Sequence, residues 1–367
     1  MTPTAGQGGT PTALAVSPDS GEHWTAEGAW QVAEGIHRIP LPLPMDGLKA
    51  INVYVITTDE GAVLIDGGWS IPVARDLLDR CLKDIGFGFG DIRRFLVTHV
   101  HRDHYTLARV LSKELGVDVA LGRGEERAMD ALNDLEALTE NPFASLLRTA
   151  GAHDIAEIWN RGHTQNGEKP DPEWWEYPDS WLDRDHEIAL GTTGGATRTI
   201  DAIETPGHTP GHFVFADQRA GLMFASDHVL PTITPSIGFT FPAEPQPLGD
   251  FMASLTKVRG LPDMTILPAH GPVAPSTHAR VDELLAFHEK RLELCLAALG
   301  SRTLCSADVA KSLGWTRHET PYDRLDEFAR GMAAMETKAH LDLLVARGQA
   351  TRSTDADSVV WYEATTP

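Results

Sequence analysis

"VTHVHRDHYTLA", residues 97–108, places three histidines and one aspartate within six positions, directly after an apolar strand. His99 and His101 alternate on the outgoing end of that strand, so both imidazoles point to the same side. Asp103 and His104 follow at the turn into a helix, where adjacent side chains diverge and suit a second centre close to the first. Because one metal ion takes three or four protein ligands, the motif predicts a metal site whose ligands are shared between two ions.

Three more ligand-type residues occur elsewhere in the same context, which is an apolar strand, a sharp turn and then the side chain. His208 lies in "ETPGHTPGHF" (204–213), Asp227 in "FASDHVLP" (224–231) and His270 in "ILPAHG" (266–271). A single histidine at a strand end is ordinarily a hydrogen-bonded surface or core residue. Seven imidazoles and carboxylates in one repeated context predict metal binding instead.

The composition of the whole chain restricts its location and its partners. With 367 residues and 42% hydrophobic content, the chain can bury a sizeable core. Its formal charge of −21 disfavours binding to nucleic acid or to an anionic membrane surface. No apolar run reaches the length of a membrane span, no signal peptide opens the chain, and the three cysteines show no CxxC spacing. We therefore expect a cytoplasmic protein with free thiols.

Strand and helix patterns divide the chain into a tail and two domains. Residues 1–25, rich in Gly, Pro and Thr, predict a flexible tail. In 26–275, two groups of strands are each followed by helices, which predicts an α/β fold of two mixed sheets packed face to face, an αββα sandwich. Residues 122–196 interrupt this rhythm and predict a helical cap that arches over the site.

Residues 276–367 predict a C-terminal winged-helix domain. Helices are expected over Val281–Leu299, from Ser306 as N-cap to Gly314, and from near Leu325 to Ala346, before a hairpin. A winged helix that reads DNA is basic on its recognition helix, but this region carries more acidic than basic residues. We expect the domain to pack against the catalytic domain, to help wall the pocket or to support a homodimer.

The ligand motifs resemble, in order, those of the metallo-β-lactamase superfamily. They are "VLIDGG" (63–68), "HVHRDH" (99–104), "PGHTPGH" (206–212), "SDH" (226–228) and "PAHG" (268–271). The ligand set is similar to that of the glyoxalase-II-like branch. The C-terminal region is similar to the extension of hydrolases of the β-lactamase-like protein 2 type.

The resemblance implies a ligand set and roles for its neighbours. It assigns one ion to His99, His101 and His208 and a second to Asp103, His104 and His270, with Asp227 bridging. It implies that Asp66 orients the site, whereas His212 is either a second orienting residue or a structural turn histidine. The chain departs from the family at Thr106, where glycine is frequent, and at Asp227, where true zinc β-lactamases usually carry Cys or Ser.

Two ions held in this way would lower the pKa of a bridging water and polarise a carbonyl oxygen, which is the chemistry of hydrolysis. Asp227 is expected to hold both ions, and Asp103 to orient the nucleophile or pass a proton to the leaving group. Histidine-rich ligation without thiolate favours zinc, with iron or manganese as alternatives. The resemblance to the glyoxalase-II-like branch implies that the bond cleaved is a thioester or ester in a small acyl substrate.

Other reactions fit the same motifs. A lactonase, for example for acyl-homoserine lactones, or a β-lactamase-like amide hydrolase would differ only in the pocket. A nuclease would need a basic groove, which the acidic composition disfavours. An iron-dependent persulfide dioxygenase would contain redox-active iron.

Two regions are predicted to shape the substrate pocket. Tryptophans of the cap would either line an apolar, acyl-accepting pocket or pack as ordinary core residues. They are Trp159, Trp174, Trp175 and Trp181. The segment 228–241 would form another wall, in which His228 either touches substrate or is structural.

Overall fold

The computed structural model describes residues 23–44, 47–134, 140–165, 171–316 and 318–365, and gives only the backbone of 163–165. The predicted flexible tail therefore lies almost wholly outside the described residues. Its last three residues, His23–Thr25, form a short 3-10 helix.

The first sheet contains seven strands, β1 to β7, in sequence order. They span Trp30–Ala33, Ile36–Pro42, Ala50–Thr58, Gly61–Ile65, Ile92–Leu96, Asp118–Gly122 and Ser180–Leu182. Strands β1 to β4 form an antiparallel meander, and β4 to β7 are parallel because helical segments join them. The two β-branched runs of residues 50–65, joined by a polar turn, predict a hairpin, and β3 and β4 form it with Thr58 paired to Gly61.

Helices α1 (Pro72–Asp84) and α2 (Arg102–Leu115) cover the outer face of this sheet. Leu78 of α1 and Leu111 of α2 are fully buried in one core with side chains of β3 to β6. The sequence pattern predicts that α2 begins at Tyr105, but it begins three residues earlier. Asp103 and His104 therefore lie in its first turn.

The second sheet contains five strands in the order β12-β11-β10-β9-β8. In chain order they span His186–Thr193, Ala196–Glu204, Phe213–Asp217, Leu222–Ser226 and Thr265–Pro268. Strands β11 and β12 pair in parallel and the other neighbours pair antiparallel, and α6 (Pro247–Arg259) lies between β11 and β12 in the chain. Ile65 and Leu96 of the first sheet pack with Phe215 and Phe224 of the second, which confirms the predicted αββα sandwich.

Residues 122–196 differ from the predicted helical cap. Helices α3 (Glu126–Asn133), α4 (Ala144–Thr149) and α5 (His153–Gln165) occupy the first part. The prediction is wrong for the second part, where β7 extends the first sheet and β8 the second. The hydrophobic pattern of the sequence does not indicate these strands, because β7 has only three residues and β8 buries only two side chains, those of Ile188 and Leu190.

The C-terminal region begins with α7 (Thr277–Leu299), α8 (Ser306–Lys311) and α9 (Glu327–Ala346). A hairpin of β16 (Ala350–Thr354) and β17 (Val360–Ala364) follows, and β13 (Leu304–Cys305) pairs with β17. A short pair, β14 (Gly314–Trp315) and β15 (Thr320–Pro321), separates α8 from α9. These elements follow the predicted order, and their assignment as a winged-helix domain stays a prediction.

One detail of this region departs from the sequence pattern, and another agrees with the expected packing against the catalytic domain. Ser306 is the first residue of α8, and Cys305 occupies the N-cap position without a side-chain hydrogen bond. Val281 and Leu341 share one hydrophobic core with Val214 and Leu255 of the sandwich. The C-terminal region is therefore continuous with the core beneath the second sheet.

The remaining global features concern thiols and membrane spans. Cys81, Cys295 and Cys305 are buried free thiols. Within the described ranges, the longest apolar stretches of helix fall short of what crossing a membrane requires.

We expect Gly122→Ala to destabilise the fold, because a Cβ at this position would overlap the carbonyl oxygen of Gly211. Adding a methyl group to such close packing costs about 1–3 kcal/mol. Chemical denaturation should show a lower free energy of unfolding for this variant. Gly90→Ala is the control, since a Cβ there meets nothing within 4 Å. Equal free energies of unfolding for the two variants would contradict the expectation.

Candidate metal centre

All seven predicted ligand residues come together beyond the strand ends of the two sheets. Their ligand atoms form two groups, and within each group the atoms lie within 4.8 Å of one another. The first group contains His99, His101, His208 and Asp227, and the second contains Asp103, His104 and His270.

The spacing within the first group fits a single ion. Nδ1 of His101 lies 3.0 Å from Nε2 of His99 and 3.2 Å from Nε2 of His208. Oδ2 of Asp227 lies 3.4 Å from Nε2 of His208. A tetrahedral ion with bonds of about 2.0–2.1 Å separates its ligand atoms by about 3.3 Å.

The second group is slightly more open and also includes an oxygen of Asp227. Nε2 of His270 lies 3.5 Å from Oδ2 of Asp103 and 3.4 Å from Oδ1 of Asp227. Nε2 of His104 lies 3.7 Å and 3.8 Å from Oδ2 of the same two aspartates. Asp227 thus faces His208 with one carboxylate oxygen and His270 with the other.

Several of these ligand atoms are buried without a hydrogen-bond partner. Among the described residues, they include Nε2 of His104, Nε2 of His270 and Oδ1 of Asp227. An unpaired buried polar atom costs about 1–3 kcal/mol, and native proteins contain few of them. A divalent cation between the atoms would remove this cost, so the residues fit such an ion.

Hydrogen bonds on the far side of the rings fix which nitrogen faces the centre. Nδ1 of His208 lies 2.8 Å from the carbonyl oxygen of Ser236, and Nδ1 of His270 lies 2.8 Å from that of Ala50. A carbonyl oxygen only accepts, so in both rings Nδ1 carries the proton. The lone pair on Nε2 is therefore directed at the centre, as metal-binding histidines require.

Asp66 provides the corresponding partner for His104. Its Oδ2 lies 2.9 Å from Nδ1 of His104, and its Oδ1 accepts the backbone N–H of Thr98 at 2.8 Å. Its φ of +62° is unusual for a residue with a side chain. Asp66 thus ends β4 in a left-handed turn, where its carboxylate reaches the predicted orienting position.

The charges in the centre favour a cation. Burial lowers the pKa of His104, but the neighbouring carboxylates of Asp66 and Asp103 outweigh this effect and raise that pKa to about 9. Burial and the imidazole of His208 lower the pKa of His101 to about 3. The potential that attracts a proton to His104 would equally attract a divalent ion in its place.

His212 and His228 lie outside both ligand groups. The ring of His212 stacks on that of His99 at 5.1 Å, and its Nδ1 lies 2.9 Å from Oγ1 of Thr205. His228 is fully buried and packs edge-on against Phe251 at 5.1 Å. The burial of His228 favours its structural interpretation over a substrate contact.

The four tryptophans of the predicted cap do not lie together. Trp175 is buried in the core behind the first sheet, and Trp174 and Trp181 are partly buried against that core. Trp159 instead belongs to what we call the aromatic cluster, with Phe143, Phe239, Phe241 and Phe328. Ordinary packing against the core therefore explains the positions of three of the four tryptophans.

The aromatic cluster joins α5, the segment 228–241 and α9. Trp159 stacks on Phe328 at 5.3 Å, and Phe143 stacks on Phe239 at 4.2 Å. Phe328 remains 58% exposed. Part of the cluster is therefore open to solvent and available to a ligand.

Two buried residues beside the centre are absent from the sequence predictions. Asn52 donates from Nδ2 to the carbonyl oxygens of Pro268 and Gly271, on either side of His270. Glu125 accepts a hydrogen bond from Thr209, next to His208, and burial raises its pKa to about 7. The only sequence signal for Asn52 is a polar residue within the apolar strand "AINVYVI".

Comparisons with known proteins agree with the motifs. A sequence model of the metallo-β-lactamase superfamily matches residues 46–270. An atrochrysone carboxyl ACP thioesterase of Aspergillus aculeatus is 24% identical over 254 residues, which cover 69% of this chain and 61% of that protein. A β-lactamase-like protein 2 homolog of Caenorhabditis elegans is 33% identical over 244 residues, which cover 66% of this chain and 63% of that protein. The chain thus spans less than two thirds of the length of either relative.

One similar solved structure matches this chain beyond the αββα sandwich. A metallo-β-lactamase family protein from Thermus thermophilus has a TM-score of 0.72 and 26% sequence identity. The superposition covers 91% of this chain and 100% of that one. Since 91% exceeds the share that the sandwich occupies, the likeness includes part of the C-terminal region.

We expect Asp227→Ala to weaken divalent-ion binding strongly, because it removes the carboxylate that faces both ligand groups. A ligand that binds only the folded protein raises its Tm. Zn²⁺ added to chelator-treated protein should raise the Tm of the wild type and raise that of Asp227→Ala far less. His186→Ala removes an exposed histidine and should respond like the wild type. An equal rise in Asp227→Ala would place the bound ion elsewhere.

Proposed function

The chain belongs to the metallo-β-lactamase superfamily, and we propose that it is a hydrolase that uses two divalent ions to cleave a thioester or ester bond in a small acyl substrate. The observation that carries this proposal is the convergence of seven imidazoles and carboxylates in two groups that share Asp227. Their unpaired buried atoms support cation binding, and their arrangement in two groups supports two ions.

The donor atoms favour zinc in this proposal. His99, His101 and His208 would hold one ion, Asp103, His104 and His270 would hold the other, and Asp227 would contact both. When bound, the ions supply an activated water and a Lewis acid for the carbonyl oxygen. Imidazole and carboxylate without thiolate suit zinc, although iron or manganese would accept the same donors.

Asp103 is the residue of the chain best placed to move a proton. Its side chain is 14% exposed, whereas that of Asp227 is 9% exposed and that of His104 is fully buried. Its carboxylate therefore contacts the centre and is also the more exposed of the two aspartate carboxylates there. We assign to Asp103 the proton taken from the attacking water and delivered to the leaving alkoxide or thiolate.

Both a relative and the surface charge support the acyl substrate class. The Aspergillus aculeatus relative is named as a thioesterase, which favours a thioester. The formal charge of −21 disfavours a polyanion such as RNA, so a nuclease has less support.

The aromatic cluster is the proposed wall for the acyl group. The segment that follows Asp227 passes Ser236, whose carbonyl accepts the proton of His208, and three residues later Phe239 enters the cluster. An apolar chain extending from the centre along this segment would meet Trp159 and the exposed face of Phe328. Such a contact would favour long acyl chains over acetyl.

A rate comparison on zinc-loaded protein tests the proposed reaction. We expect turnover of a thioester or an ester that a chelator abolishes. Asp103→Asn keeps the size of the side chain but cannot take up the proton, so kcat should fall by about 10²- to 10⁴-fold. Metal content is measured in the same samples, so that loss of an ion is distinguished from loss of the proton carrier.

The substrate panel separates failure of the substrate class from failure of the function. Lactone, β-lactam and phosphodiester substrates are assayed beside the thioester and the ester. Preference for a lactone or a β-lactam would change the substrate class but leave a metal-dependent hydrolase. No turnover of any of the five would contradict the proposed function.

We expect Trp159→Ala to raise KM for a long-chain acyl substrate. Loss of an aromatic contact worth about 1.5 kcal/mol corresponds to roughly a tenfold effect. The kcat/KM for an acetyl ester, which does not reach the cluster, should be unchanged. Phe287→Ala removes another partly exposed aromatic side chain outside the cluster and should leave both substrates unaffected. An unchanged KM for the long-chain substrate in Trp159→Ala would remove the cluster from the pocket.

A further inference from the structure

The loop that carries His270 is held by the opposite sheet. His270 follows β12 of the second sheet, and within that sheet the backbone N–H of Ala269 donates to the carbonyl oxygen of Ser226 at 3.2 Å. Further hydrogen bonds join residues 268–271 to β3 of the first sheet. Nδ2 of Asn52 donates to the carbonyl oxygens of Pro268 and Gly271, each at 2.9 Å. The backbone N–H of Asn52 donates to the carbonyl oxygen of Ala269 at 2.7 Å. Asn52 thus binds three carbonyl groups of this loop.

The free edge of β3 makes this contact possible. Pairing of β3 with β4 reaches only to Tyr54, so residues 50–53 have no neighbour from β4. The His270 loop occupies that edge, where the Ala50 carbonyl oxygen lies 2.8 Å from Nδ1 of His270. Tyr54, two residues beyond Asn52, adds a hydrogen bond from its hydroxyl to the Pro268 carbonyl at 2.8 Å.

Arg38 fixes the orientation of the Asn52 amide. Its side chain lies on β2, is only 4% exposed, and donates from Nη1 to Oδ1 of Asn52 at 2.7 Å. The same nitrogen donates to the carbonyl oxygen of Trp24 at 2.6 Å. Because an amide oxygen only accepts and the guanidinium only donates, the amide cannot be turned over. Nδ2 therefore always faces the two loop carbonyls.

We propose that Asn52, oriented by Arg38, is a positioning residue that sets the affinity of the second ligand group for its ion. This inference rests on the proposed function, since it assumes that Asp103, His104 and His270 hold an ion. The hydrogen bonds of the Asn52 side chain go to Arg38 and to backbone carbonyls of the loop, and not to a ligand side chain of the described residues. It acts by fixing the peptide groups on both sides of His270, and thereby the direction of the His270 Nε2 lone pair.

His208 of the first ligand group is supported from outside β3. His208 donates to the carbonyl of Ser236, and the loop next to it is held through Thr209 and Glu125. None of these contacts involves β3. A change at Asn52 should therefore weaken the ion of the second group and spare the ion of the first.

The experiment measures zinc binding to chelator-treated protein by competition with a chromophoric chelator. Asn52→Asp keeps the shape of the side chain but replaces the donor with an acceptor that faces two carbonyl oxygens. Loss of such an outer contact typically weakens metal affinity by about 10- to 100-fold. We expect one ion to bind Asn52→Asp as tightly as it binds the wild type, and the other to bind about 10- to 100-fold more weakly.

Two further variants separate positioning from loss of stability. Tyr54→Phe removes a single hydrogen bond to the Pro268 carbonyl and should weaken binding of the same ion by a smaller factor. This variant tests the proposal even if Asn52→Asp does not fold. Tyr362→Phe removes a buried hydrogen bond to Asp342 in the C-terminal region. It should lower the Tm of the metal-free protein without changing either affinity.

The outcomes distinguish this inference from the function on which it rests. Fewer than two zinc ions on the wild type would overturn the proposed function. Two ions on the wild type and unchanged affinities in Asn52→Asp and Tyr54→Phe would overturn only the role of Asn52. Equal weakening of both ions in Asn52→Asp would also overturn it, because the effect would then not be specific to the His270 loop.

Discussion

The centre depends on holding lone pairs that point at one another at distances of 3.0–3.8 Å. Without a cation or a proton between them, lone pairs at these distances repel each other, so a contact behind each ring must prevent it from turning away. The partners of His104, His208 and His270 are the Asp66 carboxylate and the carbonyl oxygens of Ser236 and Ala50. Each partner uses the Nδ1 proton and thereby assigns Nε2 to the centre. The geometry of the candidate ligand set therefore depends on these second contacts, the hydrogen bonds behind the rings, as much as on the ligand side chains themselves.

These second contacts also make the site inseparable from the closed sandwich. The bonds of Asn52 and Ala50 to the His270 loop cross from the first sheet to the second. Elsewhere, Gly122 at the end of β6 lies against Gly211, in the turn that leads into β10 of the second sheet, so closely that a Cβ on Gly122 would overlap the Gly211 carbonyl oxygen. A chain in which the two sheets were not packed would lose the geometry of both ligand groups, because each group draws residues from both sheets.

The seven candidate ligands could be recognised in the sequence because each follows an apolar strand and a sharp turn, and the structure brings them together. The sequence predictions failed where an element depends on its burial or on contacts with residues distant in the chain. The polar side chains in the first turn of α2 break the hydrophobic period, so the sequence does not show that the helix begins at Arg102. Strand β8 forms one edge of the second sheet and buries few side chains, so its sequence pattern resembles that of a loop. The contact of Asn52 with Pro268 spans 216 residues of sequence. Its strand position was visible in the sequence, but its partner was not.

The C-terminal region is joined to the centre through the segment that follows Asp227. A Cβ at Gly238 would lie 3.1 Å from the backbone oxygen of Met335 in α9, and Gly238 has a φ of +87°. The next residue, Phe239, meets Phe328 of α9 with ring centroids 6.0 Å apart. The strand ends thus fix the chemistry, while α5, α9 and this segment form the proposed acyl wall. On the proposed arrangement, changes in α9 would alter which substrate is accepted without touching the candidate ligands, because the segment from Asp227 to Phe239 connects the proposed wall to the ligand groups.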